Sequence, residues 1–141
     1  MTVRQANDSI CQKNSPCMQC DNQPLHFLIV DDDYFIRDIL QLCFSDCANI
    51  TLACDGKEAL QEIGSREFDV IISDVNMPVM NGIDFFKNLC ESCPEIGSKF
   101  IFCTGNNTWE LQDLCSKFQI RSCNKPIDIK EIKTIVSEIV T

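Results

Sequence analysis

Apolar and polar positions alternate between two periods along most of the chain. LHFLIVD (25–31) is a continuous apolar run that ends in acid, the pattern of a strand buried on both faces. Tyr34 to Cys47 changes to helical spacing, with Phe35, Ile39, Leu42 and Cys43 as its expected apolar face. Asn49 to Cys54 reads as a short strand. Asp55-Gly56 then turns the chain into a helix from Lys57 to Arg66 that uses Ala59, Leu60 and Ile63. FDVIISD (68–74) is a second buried strand, split only by Asp69. Loop signals at Met77-Pro78 and Asn81-Gly82 lead to a helix from about Ile83 to Cys90 through Phe85, Phe86 and Leu89. KFIFCT (99–104) is a strand, and Thr108–Phe118 is a helix through Leu111, Leu114 and Cys115. Gln119–Asn124 is a short polar strand. The helix from Asp128 to Val140 is expected to bury Ile129, Ile132, Ile135, Val136 and Ile139. Asp128 suits its N-cap, with Glu131 completing a capping-box pattern.

This is β-α repeated five times, which implies a doubly wound parallel sheet covered by helices on both faces. Residues 1–24 are different: they are polar, lack a periodic apolar face, and read as a tail or linker ahead of one domain over 25–141. A length of 141 residues suits a single domain and leaves no room for a DNA-binding output region after it. That leaves a stand-alone protein or a portion of a larger one.

Charge narrows the function. Twelve basic residues face twenty-one acidic ones, a net charge of −9, so a non-specific nucleic-acid binder is disfavoured. No apolar run is long enough for a membrane span, and the N-terminus lacks a secretory pattern. Eleven cysteines, an odd number without an export signal, point to reduced structural thiols in a cytoplasmic protein. Cys43, Cys54 and Cys103 fall within apolar stretches. Cys17-x-x-Cys20, with Cys11 six residues earlier, has metal or redox spacing, and His26 would be the fourth ligand of a zinc site. No basic residue adjoins the pair to stabilise a thiolate, so a tail without metal is the preferred reading.

In such a sheet the site lies outside the carboxyl ends of the strands. Those ends carry Asp31-Asp32-Asp33, Asp74 and Thr104, and the last strand leads into Lys125. Asp31, Asp32 and Asp74 would form an oxygen-rich pocket suited to magnesium, while Asp33 doubles as a helix start. Lys125 would be the counter-charge. The Thr104 hydroxyl would donate to a phosphoryl oxygen, with Gly105 leaving room beside it.

LIVDDD (28–33), DGKEAL (55–60), IISDVNMPVMNG (71–82), IFCTG (101–105) and KP (125–126) resemble, in order and spacing, the receiver domain of two-component response regulators. The resemblance covers about residues 25–141. It implies the (βα)5 flavodoxin-like receiver fold, with Asp74 as phosphoacceptor and Asp31 and Asp32 as the acidic pair. It further implies the Asn76 backbone carbonyl as a ligand of Mg2+ or Mn2+, Thr104 as the switch hydroxyl, Lys125 as the phosphoryl contact and a cis bond before Pro126. The phosphodonor would be a sensor histidine kinase or a histidine phosphotransfer protein, and dimerisation or effector docking would use 108–140. The module would modify itself without turning over a substrate. One departure stands out: the family's aromatic switch position is Ser122. The alternatives are a receiver-like interaction module that is not phosphorylated, a haloacid-dehalogenase-like phosphohydrolase, and a flavodoxin-like nucleotide binder. The phosphohydrolase would need a further acidic motif after Lys125; the nucleotide binder would find phosphate repelled by DDDY.

Overall fold

Strand and helix alternate in a computed structural model that describes residues 24–141. The strands are β1 (Leu25–Val30), β2 (Ala48–Ala53), β3 (Val70–Asp74), β4 (Phe100–Thr104) and β5 (Arg121–Asn124). The helices are α1 (Tyr34–Phe44), α2 (Gly56–Ile63), α3 (Gly82–Ser92), α4 (Trp109–Phe118) and α5 (Ile129–Val140). All pairings are parallel, in the order β2-β1-β3-β4-β5. The chain runs outward from β1 to β2, then crosses back to β3 on the other side of β1. That reversal opens a crevice at the carboxyl ends of β1 and β3.

The pleat supplies both cores. Leu28, Val30, Ile71, Phe100 and Phe102 point to one face, packed against Ala59 of α2, Phe85, Phe86 and Leu89 of α3 and Leu111 and Leu114 of α4. Phe27, Ile29, Val70, Ile72, Ile101, Cys103 and Cys123 point to the other, against Leu40 and Phe44 of α1 and Ile132 and Val136 of α5. Phe86 meets Phe100 edge-on with centroids 5.2 Å apart, and Phe27 meets Phe44 in the same way at 5.4 Å.

Local chemistry sets the helix starts. Asp33, Asp55, Asn81, Thr108 and Asp128 each cap a helix, accepting from a backbone N–H in the first turn. At α2 Asp55 accepts from Glu58 N–H, and the Glu58 carboxylate reaches back past the cap to accept from Cys54 N–H at 2.6 Å. Asp69, the acid splitting the third apolar run, accepts from the backbone N–H of His26 at 2.9 Å, and β3 begins after it.

Several expectations are corrected. Helix α1 turns Leu40 and Phe44 inward, not Phe35, Ile39 and Leu42, which are 66%, 43% and 78% exposed. Two apolar stripes overlap on this helix, and packing on β1 selects the one through Ile36, Leu40 and Phe44. Ile129 lies at the exposed start of α5 instead of in its buried face, and Cys54 is exposed beside Asp55. A 3-10 helix, Pro94–Lys99, fills the segment before β4 that periodicity left unassigned. Gln119 is the left-handed cap of α4, which delays β5 to Arg121.

Gly82 fixes how α3 sits on the sheet. Its N–H donates to Val75 O at 2.8 Å, and a Cβ there would collide with the carbonyl oxygen of Asp74. Gly82→Ala is therefore expected to cost about 1–3 kcal/mol in denaturant unfolding, because backbone and not a flexible side chain would have to move.

Candidate functional site

The crevice at the switch point collects charge. Asp31, directly after β1, is 1% exposed, and Asp74, the last residue of β3, is 7% exposed. Asp32 beside them faces solvent. One carboxylate oxygen from each of the three lies within 4.8 Å of the others. Lys125, just past β5, reaches into the cluster from the other side: its Nζ is 2.9 Å from Asp31 Oδ2 and 3.4 Å from Asp74 Oδ1.

Each buried group is oriented by further bonds. Asp31 Oδ1 accepts from Asp33 N–H at 2.9 Å, and Asp31 O accepts from the Arg37 guanidinium at 2.7 Å. Asp74 Oδ1 accepts from Val75 N–H at 2.8 Å, and the buried Ser73 hydroxyl donates to Asp74 O at the same length. Lys125 N–H donates to Thr104 O at 2.9 Å, which ties β5 to β4 at the rim. The Lys125–Pro126 peptide is cis.

Electrostatics follow from this packing. Burial, reinforced by the Asp31 charge and only partly offset by Lys125, pushes the Asp74 carboxyl up to about 6. For Lys125, burial alone would lower the amine. The Asp31 hydrogen bond and charge, with Asp74 behind them, leave it raised above its ordinary value. A carboxylate held in this way is incompletely neutralised, and three hard oxygen donors at this spacing fit a magnesium-type cation that retains most of its water.

The other expected residues are placed as follows. Asn76 lies exposed two residues beyond Asp74. Thr104 is buried, and its hydroxyl is engaged within its own loop, donating to Asn106 O at 3.1 Å and accepting from Asn106 N–H at 3.0 Å. Gly105 is exposed, and a Cβ there would meet no atom within 4 Å, so the space beside Thr104 is open and packing within the protein does not demand glycine. Ser122 is exposed and in register with Phe102. Asp33 is a helix cap. His26 Nδ1 lies 3.2 Å from the Arg66 guanidinium. Cys11, Cys17 and Cys20, the thiols grouped with His26 by spacing, lie outside the described residues.

Sequence reasoning missed Arg37, Gly82 and Gly56. Gly56 N–H donates to Met80 O at 3.1 Å, and a Cβ on Gly56 would press on Met80, so this glycine and Gly82 seat the 75–81 loop. Asn81-Gly82 signalled a turn but not this close approach, and a single arginine in a helix gives no signal at all. Val79, in the same loop, takes a left-handed φ of 70°, an uncommon and strained conformation for a β-branched residue.

The family model described as the response regulator receiver domain matches residues 27–137. The chain is 40% identical over 70 residues to protein-glutamate methylesterase/protein-glutamine glutaminase 1 of Methanosarcina acetivorans, covering 48% of this chain and 20% of that protein. It is 27% identical over 125 residues to the autoinducer 1 sensor kinase/phosphatase LuxN of Vibrio harveyi, covering 88% of this chain and 14% of the kinase. The chain thus spans a fifth or less of the length of these two relatives. The crystal structure of a signal receiver domain of an HD domain-containing protein from Pseudomonas fluorescens Pf-5 superposes with a TM-score of 0.75 at 27% identity, over 83% of this chain and 94% of that one. No helix among the described residues is long and apolar enough to cross a membrane.

The raised Asp74 carboxyl has a stability consequence. The folded state holds a proton on Asp74 up to about pH 6, whereas the unfolded chain releases it near 3.8. Through this group stability falls as pH rises across that window. Asp74→Asn should therefore be more stable than wild type at pH 7, by about 1–3 kcal/mol. The difference should vanish below about pH 4 in paired thermal melts.

Proposed function

The chain belongs to the response regulator receiver family, and from that premise we propose that it takes a phosphoryl group from a phosphohistidine onto Asp74. The observation that carries this reading is the convergence of three carboxylates with one amine: Lys125 Nζ lies within 3.4 Å of both Asp31 and Asp74 at the mouth of the β1/β3 crevice. Asp31 and Asp32 would hold the metal with Asp74, and the Asn76 carbonyl would add a further ligand. When bound, magnesium supplies positive charge against the phosphoryl oxygens.

The protein's own groups account for the rest. An ionised Asp74 oxygen attacks phosphorus in line, the phosphorus–nitrogen bond of the donor breaks, and the freed imidazole takes up a proton. Lys125 is already charged and already close, so it follows the added anion without a costly rearrangement. Thr104 would exchange its Asn106 contacts for a phosphoryl oxygen, using the open space beside Gly105. Hydrolysis of the acyl phosphate resets the module. Output would run through 108–140, which the Lys125 N–H bond to Thr104 O ties to the end of β4. Ser122 offers no ring to move inward, so we expect a smaller rearrangement there than an aromatic residue would give.

The donor is a sensor histidine kinase or a histidine phosphotransfer protein, and it would meet the apolar stripe that α1 turns to solvent. Phe35, Ile39 and Leu42 recur at helical spacing, beginning at the residue whose N–H the Asp33 cap accepts. Tyr34 packs at a tilt against Phe35, ring centroids 5.1 Å apart, and widens the patch.

With a small phosphodonor and magnesium the protein should gain one phosphate, and Asp74→Asn should gain none; full labelling of that variant would overturn the assignment and favour the interaction-module reading. The docking face has a separate test. Phe35→Ala with Leu42→Ala should slow transfer from a phosphohistidine donor by about tenfold, while labelling by the small phosphodonor stays unchanged. Equal loss in both assays would mean that the substitutions damage the site itself.

A further inference from the structure

The two buried thiols among the described residues lie side by side on adjacent strands. Cys103 of β4 and Cys123 of β5 are register partners, and their sulfurs are 3.0 Å apart. Both side chains point into the core beneath α5, at 1% and 4% exposure. Neighbouring strands stand about 4.8 Å apart, within the Cα separation of about 4.4–6.8 Å that a disulfide spans. A bond between these sulfurs thus requires side-chain rotation and little backbone movement.

We propose that Cys103 and Cys123 form a reversible dithiol–disulfide couple that reacts with hydroperoxides, a redox site separate from the phosphoryl-transfer chemistry. Buried thiols are ordinarily inert, but this pair lies at the border of the sheet. β5 has only four residues and is paired on one side only, and Ser122 and Asn124, on either side of Cys123, are exposed. A short edge strand of this kind opens locally at low cost. Cys123, on that strand, is the first to react. Its sulfur attacks a peroxide oxygen, the O–O bond breaks, and Cys123 becomes a sulfenic acid while the departing hydroxide takes the thiol proton and leaves as water. The sulfur of Cys103 then displaces hydroxide from Cys123; the S–S bond forms and the second water leaves with the Cys103 proton. Two thiols are oxidised and one hydrogen peroxide is reduced to two waters.

The position gives the bond a consequence. Cys103 immediately precedes Thr104, and Cys123 lies two residues before Lys125. The Lys125 N–H to Thr104 O bond already joins the same strands at the rim. A disulfide one layer below would restrain β4 and β5 from separating.

The test uses the full chain and hydrogen peroxide, with free thiols alkylated before non-reducing digestion and mass spectrometry. The expected result is a Cys103–Cys123 peptide, lighter by two hydrogen atoms than the sum of its halves, formed before any other cysteine link and lost on dithiothreitol treatment. Amide exchange at Thr104 and Lys125 should slow in the oxidised protein. In Cys103→Ser the sulfenic acid on Cys123 should persist and be trapped by dimedone. Oxidation that joins other cysteines while Cys103 and Cys123 remain alkylatable would overturn the proposal. So would their conversion to sulfinic acids without a link. The wild-type map decides the matter even if the serine variant fails to fold, and it is read without any phosphorylation assay.

Discussion

Lys125 between Asp31 and Asp74 is the interaction on which the arrangement rests. Two nearly buried carboxylates at the ends of adjacent strands repel each other and have given up most of their water. The amine reaches both, yet the Asp74 carboxyl still stands at about 6. The site is therefore left short of positive charge by construction. That shortfall gives a divalent cation something to bind, and it leaves Asp74 outside a saturated ion pair.

The sheet order makes this cluster affordable. Because β1 and β3 are neighbours while their helices lie on opposite faces, their carboxyl ends open into a crevice free of crossing backbone. Gly82 and Gly56 then let the 75–81 loop lie close against the end of β3. Backbone donors at Val75 and Asp33, and the Arg37 guanidinium on the Asp31 carbonyl, hold the two acids in place. Thr104 arrives on β4 with its hydroxyl engaged by Asn106 of its own loop.

The β4–β5 edge joins two chemistries. Thr104 and Lys125 stand at its rim, Cys103 and Cys123 one layer beneath, and Ser122 exposed on the neighbouring strand position. An aromatic residue at Ser122 would give this edge a ring to move with the threonine. Its absence leaves backbone and sulfur contacts as the links between the strands.

Much of this was legible in the amino-acid order. Continuous apolar runs ending in acid gave β1 and β3 and the edge that carries the site, because a strand buried on both faces cannot alternate with polar residues. The motifs around Asp31, Asp74, Thr104 and Lys125 gave the family and the magnesium-type cluster. The face of α1 was not legible: Phe35, Ile39 and Leu42 form as good a helical stripe as Ile36, Leu40 and Phe44, and one-dimensional periodicity cannot choose between stripes about a quarter turn apart. Contact with β1 chose. Nor could spacing reveal that Gly82 touches the Asp74 carbonyl, that Arg37 returns to Asp31, or that Cys103 and Cys123, twenty residues apart, share one register position. Those are distances across the fold, and they exist only once parallel strands have been laid side by side.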